Sequence, residues 1–425
     1  MLSSRRLAAT IFASLIIIQS AGALDSRGFP ELVPLPISVE LSGGGQQLTV
    51  DQLIDAALAF SGSSSPAADR ERLVAHIRRF RAESAGVTDQ RRLAEEALRY
   101  LHGHLLRRYS VLQTRVNTAV ETGSFNCVSS AVLYAILARS VGLDVGGVRT
   151  ADHAFCSVAV NGDSVDVETT NVHGFDPGSK KEFTDSFGAV TGFAYVPPSN
   201  YRDRRSIDAR ELLALVLYNT AAEEGEKGRF AESIRPAVSA YALIATEDFR
   251  QAMDITFSNY ASLLAMRGDF RRAIDFLDAA KSSWGERPDL GRRRQKITHN
   301  WVVSLVEKGS REEAAALLET PSARDVLGRA DWTDLSVFLV QSRAEAAARS
   351  GGYREAAEEV AAGLQSLGAQ AELLRAYEAY VHNAFAQLYN ARKFDDAKAV
   401  LERGLSVYPS SPMLTGDMRN LTPHP

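Results

Sequence analysis

The sequence contains very little cysteine. Only Cys127 and Cys156 occur among its 425 residues, which excludes a fold held together by several disulfides. One bridge between these two residues is the only bridge that the chain can form. Such a bridge requires the two β-carbons to lie about 3.8 Å apart, and we expect two separate thiols instead.

The chain also lacks a large excess of charge of either sign. Its 48 lysines and arginines stand against 52 aspartates and glutamates, and the formal net charge is −4. Proteins that bind nucleic acid typically carry a basic patch with interleaved aromatic residues; the sequence has none, and we expect no nucleic-acid partner. We also expect no cofactor and no metal, because residues 43–45 lack the Gly-Lys-Ser/Thr of a phosphate loop and no histidine or cysteine spacing is typical of zinc.

Long apolar runs are absent except near the N-terminus. Arg5 and Arg6 precede the apolar stretch "LAATIFASLIIIQSAGA", which ends in the small residues Ala21-Gly22-Ala23. A basic start, an apolar run and a small-x-small site are typical of an export signal. We therefore predict a signal peptide over residues 1–23 and an exported protein, either periplasmic or extracellular. The alternative is an uncleaved anchor, which would hold the protein at a membrane.

In the segment that follows, the spacing of apolar residues changes several times between that of helices and that of strands. The stretch "TVDQLIDAALAFSG" predicts a short helix capped by Thr49, and "ISVEL" before it predicts a short strand. Helical periodicity then continues to about Val116. Cys127 opens an apolar, buried helix, after which "LDVGGVRT", "HAFCSVAV" and "SVDVETT" alternate as strands do. Asn161-Gly162 predicts a hairpin turn between the last two strands.

The last part of the chain repeats with a period of roughly 41 residues. A polar residue in each unit is followed nine residues later by a turn residue. The polar residues are Asn219, Asn259, Asn300, Ser342 and Asn383, and the turn residues are Gly228, Gly268, Gly309, Gly351 and Arg392. Such a period predicts stacked helical hairpins, an architecture whose concave surface suits protein partners.

Three polar residues of the middle segment form a candidate catalytic set. Cys127 begins a helix, where free N–H groups favour a thiolate, and His153 begins a strand. If Asn161-Gly162 form the turn, Glu168 lies diagonally across from His153 at roughly 7–8 Å between backbones, whereas Asp166 is about 13 Å away. We predict that Cys127, His153 and Glu168 are nucleophile, base and orienting acid. A bulge in the hairpin would favour Asp166 instead.

The alternatives for these residues are structural. A lone cysteine in an apolar helix is most often a core residue, and for Cys156 we predict that role. The N–H of Cys127 itself is a natural donor to an oxyanion. The sequence does not identify a second donor, since no glutamine stands a few residues upstream of the cysteine.

The middle segment resembles the transglutaminase-like superfamily, which is related to papain-type cysteine proteases. The resemblance rests on "NCVSSAVLYAILARSVGLDV", "DHAFCSV" and "VDVETTN", with Glu168 at the place of the usual aspartate. It implies hydrolysis or acyl transfer at a peptide-like amide through a thioester. The repeats "NYASLLAMRGDFRRAIDFLDAA" and "NAFAQLYNARKFDDAKAVLERGLSVYP" resemble tetratricopeptide (TPR) repeats, although their period is longer than the usual 34 residues.

These observations predict an α+β papain/transglutaminase-like core followed by an all-α, TPR-like helical-repeat solenoid. After the signal peptide, residues 24–68 would be an N-terminal lead with a short helix, 69–200 the transglutaminase-like domain and 208–415 the helical repeats. The predicted function is that of an exported cysteine protease or acyltransferase with a protein or peptide substrate and a protein partner on the repeats. The alternative is a catalytically silent scaffold whose repeats mediate protein–protein interaction.

Overall fold

A computed structural model describes residues 28–30, 32–43, 47–178, 180–192 and 203–421. The predicted signal peptide of residues 1–23 lies outside the described residues. The chain divides into two compact units, Met1–Thr256 and Phe257–Pro425. The predicted repeat segment, which starts at residue 208, therefore begins inside the first unit.

The first unit contains nine helices and six strands among its described residues, and a tenth helix, α10, Glu247–Met266, crosses into the second unit. In chain order these elements are α1 Pro36–Glu40, α2 Val50–Phe60, α3 Pro66–Glu83, α4 Gln90–His104, β1 Arg108–Tyr109, α5 Val116–Thr122, β2 Ser124–Phe125, α6 Cys127–Ser140, β3 Asp144–Arg149, β4 Ala154–Val160, β5 Asp163–Val167, α7 Lys181–Thr191, β6 Arg205–Ile207, α8 Ala209–Glu226 and α9 Phe230–Leu243.

Helix α6 lies at the centre of the first unit. It is apolar on nearly every face, and a helix of this kind is stable only when it is surrounded by other elements. It packs against α2, α4, α5 and α8 on some sides and against β3 and β4 on another. The phenol of Tyr134, which is fully buried, donates a hydrogen bond to the carbonyl of Ala94 in α4 over 3.1 Å. Helix α6 is consequently held in place from several directions.

Strands β3 to β6 form an antiparallel sheet in the order β5-β4-β3-β6. Asn161 and Gly162 connect β4 to β5 with φ of 54° and 92°, the left-handed conformation that a two-residue hairpin turn requires at both positions. Ser157 pairs with Asp166 and Cys156 with Val167. The register predicted from the Asn-Gly turn is therefore confirmed. A separate parallel pair joins β1 to β2.

The predicted α+β papain/transglutaminase-like core is wrong. Among the described residues, 18 helices accompany only a two-stranded and a four-stranded sheet, and most residues of the core that surrounds α6 belong to helices. The alternating segments did form strands. However, the packing of distant helices onto α6, which supplies most of the core, has no local pattern in the sequence.

For the N-terminal helices, one sequence-based prediction is wrong and one is confirmed. The predicted strand "ISVEL" is instead part of α1, because Pro36 occupies the first helical turn, where its fixed φ is favourable. The backbone N–H of Leu35 donates to Ser239 Oγ on α9 over 2.9 Å and so ties α1 to that helix. The predicted cap of α2 is confirmed, since Thr49 Oγ1 accepts from the N–H of Gln52 at 3.2 Å.

The second unit consists of helices throughout its described part. After the end of α10 these are α11 Phe270–Trp284, α12 Pro288–Glu307, α13 Arg311–Leu318, α14 Pro321–Arg349, α15 Tyr353–Leu367, α16 Ala371–Asn390, α17 Phe394–Val407 and α18 Pro412–Leu421. Consecutive helices pack against one another from α11 to α18. Gly328, at φ 69°, kinks α14.

The sequence repeat coincides with helix pairs. Each turn residue of the repeat follows the first helix of a pair by two residues and has a positive φ. The values are 72° for Gly228, 86° for Gly268, 81° for Gly309, 82° for Gly351 and 58° for Arg392. In four of the pairs an alanine five residues after the turn residue lies in the second helix and is fully buried; these are Ala273, Ala314, Ala356 and Ala397. The repeat in the sequence therefore arises from two requirements of each helix pair, a left-handed conformation at the end of the first helix and a small residue where the helices pack closely.

Candidate active site

Cys127 is the first residue of α6, and its position is fixed by the preceding asparagine. Asn126 Oδ1 accepts hydrogen bonds from the N–H groups of Val128 and Ser129, both at 3.0 Å, while the N–H of Asn126 donates to Ser129 Oγ at 2.9 Å. Asn126 is almost completely buried, whereas Cys127 is half-buried. The thiol therefore lies at a capped helix N-terminus, where the backbone N–H groups favour an anion.

His153 and Glu168 meet where the two strands of the hairpin leave the sheet. His153 directly precedes β4 and Glu168 directly follows β5. Their side chains form a hydrogen bond of 2.6 Å between His153 Nε2 and Glu168 Oε2. The other carboxylate oxygen, Oε1, accepts from the hydroxyl of Thr170 at 2.7 Å and from its N–H at 3.2 Å. Both oxygens of this buried carboxylate are thus occupied, which fixes the orientation of the acid.

The thiol of Cys127 lies close enough to the imidazole of His153 to contribute to its raised pKa. Because Nε2 is bonded to Glu168, Nδ1 is the ring nitrogen that the acid does not engage. The structure thus brings together all three residues that the sequence proposed as a catalytic set. A second link holds the arrangement closed, since Ser130 Oγ in α6 lies 2.8 Å from Thr169 Oγ1 in the segment after Glu168.

The electrostatics of the pair favour an imidazolium next to a carboxylate. Burial disfavours the charged form of His153, but the negative charge of Glu168, the hydrogen bond to it and the nearby Cys127 outweigh it and hold the pKa of His153 well above its usual value. Burial alone would raise the pKa of Glu168. The charge of His153 and the hydrogen bonds from His153 and Thr170 lower it instead. Both groups are therefore charged near neutral pH.

Asp166, the alternative acid, has a different partner. It lies opposite Ser157 in the sheet, and its carboxylate accepts two hydrogen bonds from Arg204 at 2.7 and 2.8 Å. Cys156 is fully buried against α6, where its thiol donates to the carbonyl of Ala131 at 3.3 Å. Burial raises the pKa of Cys156. The two cysteines are not bonded to each other, and only Cys127 is accessible.

Comparison with known proteins finds similarity among solved structures. No protein-family model and no curated protein matches the chain. Among solved structures the chain is similar to menin, described in a crystal structure that reveals the binding site for the Mixed Lineage Leukemia (MLL) protein. The similarity has 12% identity and a TM-score of 0.33, and covers 90% of this chain and 85% of that chain.

The predicted family is therefore corrected. The described residues form 18 helices and only two small sheets, so the assignment to the transglutaminase-like superfamily followed by tetratricopeptide-type repeats is wrong. The resemblance rested on three short segments around Cys127, His153 and Glu168. Such segments describe the local geometry of a site and do not determine the helices that surround it. At the coarser level, the helix pairs form a scaffold that is consistent with protein partners.

His102 supports the segment that carries the acid, and the sequence analysis had given it no role. Burial lowers the pKa of His102 to about 4, so the ring is neutral and its Nε2–H donates to the carbonyl of Thr169 over 3.1 Å. Asn171 ties the same segment to α7 through a bond of 2.9 Å to Ser186 Oγ. No sequence pattern could have found His102, because it lies in a separate helix 67 residues from Thr169.

Four apolar side chains are exposed on segments that carry or contact residues of the site, and we call this set the apolar rim. It consists of Val111, Leu112, Val172 and Val190. The carbonyl of Val111 accepts from the side chain of the capping Asn126 at 3.0 Å. Val172 follows the turn that begins at Glu168, and Val190 lies one helical turn beyond Phe187, whose ring packs edge-on against His153.

The described residues contain neither a metal site nor a membrane span. No group of three or more histidine, cysteine or acidic side chains in this part of the chain could hold a metal ion. None of the described helices combines the length and the apolar character needed to cross a bilayer.

Proposed function

We propose that the protein is a cysteine-dependent acyl-transfer enzyme that acts on peptide or protein amides through a thioester on Cys127. The observation that carries this proposal is the hydrogen bond between His153 and the buried carboxylate of Glu168, with the half-buried thiol of Cys127 at a helix N-terminus close enough to affect the pKa of that imidazole. A nucleophile, a proton carrier and an orienting acid are the groups that acyl transfer through a thiol requires.

The steps follow from the positions of these groups. The thiolate of Cys127 attacks the carbonyl carbon, and the electron pair of the C=O bond moves to oxygen. The cap by Asn126 uses the N–H groups of Val128 and Ser129, so the backbone N–H of Cys127 can donate to this oxyanion. When the pair returns, the C–N bond breaks and the leaving amine takes the proton of the His153 imidazolium. Water or a second amine then attacks the acyl carbon and gives a proton to the neutral His153, and the S–C bond breaks to return the thiolate. The acyl group is thereby hydrolysed or transferred.

The environment of the site supports acyl donors with apolar side chains. Large apolar residues exposed beside a nucleophile are costly to leave in water, and burying them under a substrate contributes about 25 cal/mol per Å². The apolar rim presents four such residues on three separate segments. We further propose that the helix pairs of the second unit bind a protein partner, and that the N-terminal segment exports the protein to the periplasm or the extracellular space.

Alkylation with iodoacetamide tests the proposal. At about pH 6 a free cysteine is almost entirely protonated and reacts slowly. We expect Cys127 to react at least tenfold faster in the native protein than in the denatured chain. Cys127→Ala should abolish this fast reaction. Cys156→Ala serves as the matched control and should leave the rate unchanged, because that thiol is fully buried. Equal rates in native and denatured protein would favour a scaffold without catalytic activity.

A further inference from the structure

Tyr109 lies beside the nucleophile without belonging to the three residues described above. Strand β1 pairs with β2 in parallel, which places Tyr109 opposite Phe125, two residues before Cys127. The rings of Tyr109 and Phe125 meet edge to face, with centroids 5.8 Å apart and an angle of 85°. The N–H of Ser110 donates to the carbonyl of Phe125 over 2.8 Å. The strand pair therefore fixes Tyr109 relative to the start of α6.

The segment after Tyr109 follows the first turn of α6 closely. The carbonyl of Val111 accepts from Asn126 Nδ2 at 3.0 Å, and the carbonyl of Gln113 accepts from Ser129 Oγ at 3.0 Å. These bonds do not depend on a substrate. A group carried by this segment is consequently pre-positioned, which is the property that makes a hydrogen-bond donor effective in a transition state.

The hydroxyl of Tyr109 is available as a donor. The side chain is half-buried, and its hydroxyl has no hydrogen-bond partner among the residues that the structure describes. Burial raises the pKa of Tyr109, and the negative charges of Cys127 and Glu168 raise it further. The phenol therefore remains protonated at any pH at which the enzyme would work, and its proton is not engaged by the protein.

One donor is missing from the site as described so far. The N–H of Cys127 can donate one hydrogen bond to an oxyanion, and preorganised sites for such an anion typically provide a second donor. We propose that the Tyr109 hydroxyl is this second donor and stabilises the oxyanion formed when Cys127 attacks a carbonyl group. The proposal rests on the acyl-transfer function proposed above.

The role of Tyr109 is confined to the oxyanion. When the S–C bond forms, the π electron pair of the carbonyl moves to oxygen, which accepts from the N–H of Cys127 and the O–H of Tyr109. The phenol keeps its proton throughout. When the pair returns to re-form C=O, the bond to the leaving group breaks and both donors are released. The thiolate and the His153 proton take no part in this contact.

Two probes of Cys127 separate this role from a general effect on the thiol. p-Nitrophenyl acetate acylates the thiolate through a tetrahedral oxyanion, whereas iodoacetamide alkylates it by displacement at a saturated carbon. In Tyr109→Phe we expect acylation to slow on the order of 100-fold and alkylation to stay within about twofold of the wild-type rate. Rates measured with Cys127→Ala are subtracted as background. Tyr389→Phe, an exposed tyrosine of the second unit, is the matched control and should change neither rate.

The outcomes are distinguishable. Unchanged acylation in Tyr109→Phe would overturn the role of Tyr109 while leaving the proposed function intact. Equal slowing of both reactions would also overturn it, because the tyrosine would then act on the thiol or on the fold. If wild-type Cys127 reacts with neither probe faster than the denatured chain does, the acyl-transfer function itself fails and the inference fails with it.

Discussion

Replacing Glu168 by glutamine removes one negative charge from the site and keeps the size of the side chain. The carboxylate now accepts from His153 on Oε2 and from the hydroxyl and N–H of Thr170 on Oε1. Glutamine offers one accepting oxygen in place of two. Whichever way the amide turns, its NH2 group faces a donor of either His153 or Thr170, and one part of this network is lost.

The size of the effect can be estimated from the contact. An opposite charge within about 4–6 Å shifts the pKa of a side chain by about one to three units, and His153 and Glu168 are in direct contact at 2.6 Å. Without the carboxylate, the burial of His153 favours the neutral ring. The imidazolium that stabilises a thiolate of Cys127 is then depleted near neutral pH. We expect the alkylation rate of Cys127 at about pH 6 to fall at least tenfold.

The assay is the iodoacetamide reaction followed by mass mapping of the Cys127 peptide. Asp166→Asn provides a matched control, because it removes an acid from the same hairpin whose carboxylate pairs with Arg204. This variant should react at the wild-type rate. Circular dichroism identifies any loss of fold. If folded Glu168→Gln and Asp166→Asn react alike, the assignment of Glu168 as the orienting acid is refuted.

Three further predictions concern pH, the rim and the repeats. The His153–Glu168 pair should make the free energy of unfolding depend on pH. The raised pKa of His153 gives stability that is complete below its ordinary 6.5 and is lost as the pH rises through the raised value. The lowered pKa of Glu168 gives stability present above 4.5 and lost as the pH falls through the lowered value. In urea titrations, the difference in the free energy of unfolding between wild type and Glu168→Gln should therefore be largest between pH 4.5 and pH 6.5. A difference that does not depend on pH would contradict the pairing. Leu112→Ser should raise the KM for N-acetyl-leucine p-nitrophenyl ester about tenfold without raising the KM for p-nitrophenyl acetate. Ile255→Ser, which changes an exposed residue of α10, is the control and should change neither KM. Equal changes for both esters would contradict a binding role of the apolar rim. Arg392→Gly should stabilise the protein by about 0.5–1 kcal/mol in urea denaturation. Glycine relieves about 1–2 kcal/mol of left-handed strain, but the greater freedom of the unfolded chain costs about 0.5–1 kcal/mol. A loss of stability would show that the arginine is not strained.

The parts of the structure that depend on neighbouring residues could be predicted from the sequence. Asn161-Gly162 determines the register of the β4–β5 hairpin, because both residue types tolerate the left-handed φ that a two-residue hairpin turn requires. That register placed Glu168 rather than Asp166 near His153. The start of α6 at Cys127 was equally local, since Asn126 is a favourable capping residue. The glycines of the repeat mark helix ends for a similar reason.

The parts that depend on distant residues could not. The predicted core was wrong because no pattern in the sequences of the helices around α6 shows that they pack against it. Tyr109 reaches the site through a parallel strand pair with Phe125, and His102 does so from α4. Strands of two residues have no detectable alternation, and a histidine in a helix does not indicate its partner. The sequence alone therefore could not identify Tyr109 as the proposed second oxyanion donor.

Capture of the thioester tests the central claim most directly. The native protein is mixed with N-acetyl-leucine p-nitrophenyl ester, quenched in acid within seconds and digested, and the acyl group is located by mass spectrometry. The account predicts one acylated peptide, containing Cys127, in wild type and in Cys156→Ala, and much less acylation in His153→Ala. An acyl group absent from Cys127, or present there equally in His153→Ala and in the denatured chain, would contradict a nucleophile activated by His153 and Glu168.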